Sequence, residues 1–141
     1  MGTQVGLIWL NTTNGHYGRL PQKHPKVLDS VAIITQYIDS KGIVWMGLGR
    51  GNGLCSYDTH SGEFKTFPFR NSSYPYIYPA AVAEARNHDL YFTSPSSGNL
   101  VRWIRNENRF QTIPFPQFTN AANSNHGAIF MDTEKNILCI S

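Results

Sequence analysis

The sequence predicts an all-β protein made of β-propeller blades, each a four-stranded antiparallel meander, with about three blades and so an incomplete ring. Three observations carry that expectation. First, the chain repeats itself. Val44 and Leu90, Trp45 and Tyr91, Leu54 and Leu100, Tyr57 and Trp103, and Phe64 and Phe110 all stand 46 residues apart, as do Phe67-Pro68-Phe69 and Ile113-Pro114-Phe115. A fixed period of this length is a mark of repeat architectures, propellers among them. Second, apolar and aromatic runs are short, four to seven residues, and end in Gly, Asn, Asp, Ser or Pro, the pattern of strands joined by tight turns. Third, 12 glycines and 8 prolines punctuate the chain, and no 11-residue window carries a clean 3.6 period.

Taken in order, "GLIWLNTTNGHYGRL" (6–20) reads as a strand, a turn and a second strand. Its Trp9 lies 36 residues before Trp45. "VAIITQYI" (31–38) is rich in β-branched residues and opens on a continuous apolar run, as a strand covered on both faces does. "DSKG" (39–42) is a turn by composition. "IVWMG" is the next strand, and the Gly/Asn-rich "GLGRGNG" is the hairpin to "GLCSYD". "THSG" (59–62) turns into "EFKTFPF", which completes four strands. "AAVAEAR" (80–86) is the best helix candidate, but the repeat aligns it with "VAIITQYI" and so predicts a strand. "MDTEKNILCIS" at the far end repeats "IDSKGIVWMG", pairing Asp132 with Asp39 and Leu138 with Trp45. The expected organisation is one propeller segment: a partial blade over 1–28 that begins at a second strand, blades over 29–69 and 79–115, and a partial blade over 126–141. Blades bury their broad faces on one another, so further blades or a second copy of the chain, as a homodimer, are the expected partners.

The totals narrow the function classes. The 141 residues suit one domain. A hydrophobic fraction of 40% supplies a core, and 15% charged residues is too few for a disordered chain. The net charge of +3 is scattered, without a basic stripe for nucleic acid. "VGLIWL" is too short for a signal-peptide core, and no apolar run approaches the ~18 residues of a spanning helix; no membrane contact is expected of this segment. Cys55 and Cys139 sit in apolar stretches and read as small buried hydrophobes. The five histidines (His16, His24, His60, His88 and His126) are isolated, so no metal and no cofactor are expected. The glycines of "GLGRGNG" do not spell a phosphate loop, which requires Gly-Lys-Ser/Thr, nor G-x-G-x-x-G.

"IDSKGIVWMGLGRGNGLCSYDTHSGEFKTF" resembles a regulator-propeller repeat, of the form D-x-x-G-x-(I/V)-W-(I/M)-G … G-L-x-x-Y-D … G-x-F-x-x-F. "GLIWLNTTNGHYGRL" resembles its first half. In the third repeat Tyr91 replaces the Trp and "NHD" the Asp-x-x-Gly turn; in the fourth Leu138 replaces the Trp. The resemblance implies the sensor ectodomain of a hybrid two-component regulator, lying in the periplasm, responding to carbohydrate breakdown products and signalling to a histidine kinase. It implies a fragment, because members carry many more blades. "LYFTSPSSGNLVRW" and "NHGAIFMDTEKNILCIS" are also similar to repeats of streptogramin (virginiamycin B) lyases. There a His opening a repeat works with a Glu on the following strand. His126 takes the His position, and "ILCIS" carries no Glu. A lyase-like enzyme is thus the rival reading, and a protein-interaction propeller the third.

No Cys/His, Ser/His/Asp or paired-carboxylate motif announces catalysis, and the chain is read as a non-enzyme. Trp9, Trp45 and Tyr91 recur at one repeat position and are expected to pack between blades. The candidate ligand site lies in the parts that do not repeat. Tyr74, Tyr76 and Tyr78 alternate, which puts them on one face of an extended segment. "FPQFTNAANSNH" (115–126) supplies Asn123, Asn125 and His126. These connections reach the same end of the blades as the second-to-third-strand hairpin, which carries Arg50 and Asn52. Flat aromatics beside amides and an Arg suit an oligosaccharide, whose CH face stacks on rings and whose hydroxyls pair with amides.

Overall fold

The computed structural model describes residues 2–3, 6–19, 23–49, 51–68, 79–94, 99–114, 128–131 and 137–140. They form antiparallel sheets with two short 3-10 turns. The first sheet holds β1 (Gly2–Thr3), β2 (Gly6–Leu10) and β3 (Tyr17–Arg19). The second holds β4 (Ile33–Ile38), β5 (Ile43–Leu48), β6 (Gly53–Asp58) and β7 (Phe64–Phe67). The third holds β8 (Ala81–Glu84), β9 (Leu90–Ser94), β10 (Asn99–Ile104) and β11 (Arg109–Pro114). The last pairs β12 (Ala128–Met131) with β13 (Ile137–Ile140). In every sheet the strand order follows the chain, which is the meander of a propeller blade. The first strands β1, β4, β8 and β12 lie next to one another in succession, so consecutive sheets sit blade against blade.

The repeat is visible in the backbone. Gly42 and His88, 46 residues apart, both take a left-handed conformation (φ 76° and 66°), and so do Gly62 and Asn108 (φ 75° and 50°). Each closes a hairpin at the same place in its sheet, and the third sheet uses His and Asn where the second uses Gly. Asn adopts that conformation more readily than most residues. Side chains repeat as well. Tyr57 stacks on Phe64 at 4.5 Å, and their counterparts Trp103 and Phe110 pack at 4.6 Å. "AAVAEAR" supplies strand β8, as the repeat requires, rather than a helix.

Two features depart from expectation. The chain does not open on a second strand, because Gly2–Thr3 pairs with Gly6–Leu7 ahead of it. The second is a 3-10 turn, Lys26–Asp29, at the end of the stretch expected to be the partial blade over 1–28. Pro25 immediately precedes that turn and has no N–H for a strand ladder.

Alternation along the strands divides the core. Trp45 and Leu54 face the third sheet and meet Leu90, Phe92, Val101 and Trp103. Met46, Leu48 and Cys55 face the other way and are covered by Leu28 and Val31. Ala83 and Leu100 face the last sheet and meet Ile129. Burial pushes the Cys55 thiol up to about 12, so it is an inert core residue. Gly47 is needed where the chain crosses the second sheet. A Cβ there would lie 2.5 Å from the Pro79 carbonyl oxygen.

Trp9 does not share the setting of its counterparts. Trp45 is 3% exposed and Tyr91 half-buried, whereas Trp9 is 51% exposed. Across the strand pair Trp45 stands opposite Ser56 and Trp9 opposite Gly18, and the indole of Trp9 lies over that glycine.

Candidate functional site

Of the residues expected to gather a ligand, Asn52 is described. Its Nδ2 donates to the Gly49 carbonyl at 2.6 Å, so the amide is engaged in closing the β5–β6 hairpin. Arg50, Tyr74, Tyr76, Tyr78, Asn123, Asn125 and His126 lie outside the described residues. What the structure does bring together is a set of polar groups at the opposite end of the blades, where β4–β5, β6–β7, β8–β9 and β10–β11 make their turns.

Asp39 opens the β4–β5 turn. Its Oδ1 accepts the Lys41 and Ile43 amides at 2.9 Å each, a closed turn in which the side chain does the work of a backbone carbonyl. Its Oδ2 accepts Trp45 Nε1 at 2.9 Å and Arg105 Nη2 at 2.5 Å. Arg105 comes from the third sheet, so a buried carboxylate ties the second sheet to its neighbour. Burial raises the Asp39 pKa, but the bonds from Arg105, Trp45 and the two amides outweigh it and hold the carboxyl below its ordinary value. The third sheet places its carboxylate differently. The position matching Asp39 is Ala85, and Asp89, just after the turn, takes the bonds instead: from the Arg105 amide at 3.0 Å, Arg102 Nε at 2.9 Å and Asn87 Nδ2 at 2.9 Å. These bonds overcome burial and lower the Asp89 pKa.

A third cluster joins the same two sheets. Glu84 accepts Ser40 Oγ at 2.6 Å and the Ser40 amide at 2.8 Å, and His88 Nδ1 lies 3.0 Å from both Glu84 Oε1 and Ser40 Oγ. A serine, a histidine and a glutamate thus touch, but not as a nucleophile system. A triad needs the hydroxyl on one ring nitrogen and the carboxylate on the other, so that the ring relays a proton. Here both meet Nδ1, and the cluster acts as a staple between turns. Among the described residues no three His, Cys, Asp or Glu side chains converge as metal ligands.

Beside the Asp39–Arg105 bond a cleft of about 200 Å³ opens between the second and third sheets. Trp45, Phe67 and Trp103 floor it, with ring centroids 5.3–5.9 Å apart. Asp58, Glu63 and Lys65 stand along one wall and Arg105 and Asn108 along the other. Sequence reasoning singled out Asp39 and Trp45 as repeat positions, but not Ser40, Glu84, Arg102 or Arg105. Those four join turns that are distant in sequence, or stand where the repeat is broken, so periodicity gave no signal for them.

No family profile matches the chain, and no curated protein matches it. Solved structures do match. The extracellular domain of BT4673 from B. thetaiotaomicron, a candidate hybrid two-component system, is 22% identical with a TM-score of 0.69, over 98% of this chain and 18% of that one. Virginiamycin B lyase from Staphylococcus aureus is 19% identical with a TM-score of 0.65, over 91% of this chain and 39% of the lyase. A streptogramin B lyase is 15% identical with a TM-score of 0.67, over 91% of this chain and 38% of the other. The chain therefore spans less than a fifth of the sensor ectodomain and about two fifths of the lyases. At these identities the likeness shows the fold, and the chain is built of β-propeller blades.

Proposed function

We propose that this chain is a ligand-sensing or scaffold segment of a sensor propeller in a hybrid two-component system, exposed in the periplasm and acting without catalysis of its own. The observation that carries the reading is the likeness to a candidate two-component ectodomain over 98% of the chain, joined to the D-x-x-G-x-V-W repeat whose Asp39, held by Trp45 within its own blade, takes Arg105 from the next. Its ligand is an oligosaccharide, on the sequence argument of alternating tyrosines and nearby amides. Further blades, or a second copy, cover the outer faces.

The test is a glycan-array screen on the purified chain, followed by titration of any hit against wild type and Tyr76→Ala. A saturable glycan lost in Tyr76→Ala supports the reading. Linearisation of a streptogramin B by the chain, abolished in His126→Ala, would replace it with the lyase reading that the similarity over 91% of the chain favours.

A further inference from the structure

The cleft between the second and third sheets can be set beside the same place one repeat later, where Arg102 answers Ser56 and Asp89 answers Ile43 of the cleft lining. Trp45, Ser56 and Lys65 stand directly across from one another on β5, β6 and β7, so they form one row on the face toward the third sheet. The same row in the third sheet is Tyr91, Arg102 and Gln111. There the guanidinium of Arg102 lies 5.8 Å from the Tyr91 ring centroid and bonds to Asp89 through Nε at 2.9 Å and Nη2 at 2.5 Å. In the second sheet this place belongs to Ser56, and the space that Arg102 fills is left as the cleft.

The vacancy is polar. Ser56 is only 6% exposed, lines the cleft, and its hydroxyl has no protein partner among the described residues. A buried hydroxyl without a partner is costly. Arg105 is paired with Asp39, and Asp58 Oδ1 accepts the His60 and Ser61 amides and lies 3.7 Å from His60 Nδ1, so Glu63, beside Lys65 on the wall, is the carboxylate left to meet a cation. The floor is indole and phenyl, which attract cations. The volume is below the roughly 300–1,000 Å³ of drug-sized sites, so the ligand is small.

We propose that the inter-blade cleft over Trp45 and Ser56 binds a small organic cation bearing a guanidinium or amine, which takes the place that Arg102 holds in the next blade. This site lies at the opposite end of the blades from the β5–β6 hairpin and does not rest on the sensor reading. The test is calorimetric titration of the full chain with L-arginine and with L-citrulline, which replaces the guanidinium by a neutral urea of the same shape. Saturable 1:1 binding of arginine is expected, with citrulline weaker by about tenfold or more. Glu63→Gln, an exposed change, lowers arginine affinity by about tenfold. Ser56→Arg supplies the guanidinium from within and abolishes binding; should that variant not fold, Glu63→Gln carries the test. No saturable arginine binding, equal binding of citrulline, or full affinity in Glu63→Gln overturns the proposal.

Discussion

The joint between the second and third sheets and the joint between the first and second are built from the same repeat positions but are not closed alike. At the later joint Trp45 is sealed by Phe67, Phe92 and Trp103, and its indole N–H is held by a carboxylate that also takes an arginine from across the joint. At the earlier joint the facing residues Met46 and Cys55 are well buried, but Leu28 and Val31 cover them, and the repeat tryptophan, Trp9, stays outside. A groove of about 470 Å³ lies beside it, lined by Ile8, Leu10 and Tyr37 among others. The contrast teaches that a repeated aromatic does not bury itself. It needs neighbours that cover it, as Phe67, Phe92 and Trp103 cover Trp45, and a polar anchor for its N–H. The residue matching Asp39 in the first sheet is Thr3.

The sharpest way to break the comparison is to delete each indole. Trp45→Ala should cost about 3–5 kcal/mol of unfolding free energy, the range for a buried aromatic. Trp9→Ala should cost under about 1 kcal/mol, since half of it is in water already. Urea unfolding of the two variants measures both, and equal losses would show that the two joints are closed alike.

Next in size is the anchor. Arg105→Met leaves the buried Asp39 carboxylate without its cation and should cost about 2–3 kcal/mol, less than a wholly enclosed pair because Arg105 keeps some solvent. The pH dependence has a definite sign. Asp39 has a folded pKa below its unfolded 3.8, so its contribution is complete above 3.8 and is lost as pH falls through the depressed folded value. Removing Arg105 lessens that depression. The acid-unfolding midpoint of Arg105→Met, followed by tryptophan fluorescence, should therefore move to higher pH. An unmoved midpoint would mean that the bond between the sheets does not hold the carboxylate.

The smallest effects come from two glycines. Gly47→Ala forces a Cβ against the Pro79 backbone, which cannot yield cheaply, and should cost about 1–3 kcal/mol. Gly18→Ala meets only the Trp9 ring, at 2.9 Å, and that ring is free to swing outward. Its cost should stay within about 0.5 kcal/mol. Thermal unfolding of the pair would sharpen how loosely the earlier joint is packed.

Much of the fold was legible because a blade repeats. The period of 46 placed β5 against β9 and β6 against β10, and it turned "AAVAEAR" from a helix candidate into β8. The repeat also overreached. It expected Trp9 to pack like Trp45, because periodicity sees the tryptophan but not the side chains of the next sheet that must cover it. At the end of the stretch read as the partial blade over 1–28, Pro25 and the turn that follows supply a cap over Met46. The tyrosines and amides of the candidate ligand site lie outside the repeat, and Arg50 and Asn52 join them only as hairpin residues expected at the same end; Asn52, the described one, serves its own turn.

Local chemistry therefore determined the blades from the sequence alone. Alternating apolar runs, turn residues and a fixed period fix which residues are strand and which face each side chain takes, because those depend on neighbours a few positions away. Only the tertiary structure decided what spans the joints. Whether Ser40 reaches Glu84, Arg105 reaches Asp39, or Ser56 lines a cleft depends on how side chains from different blades meet, and the sequence carries no record of that spacing.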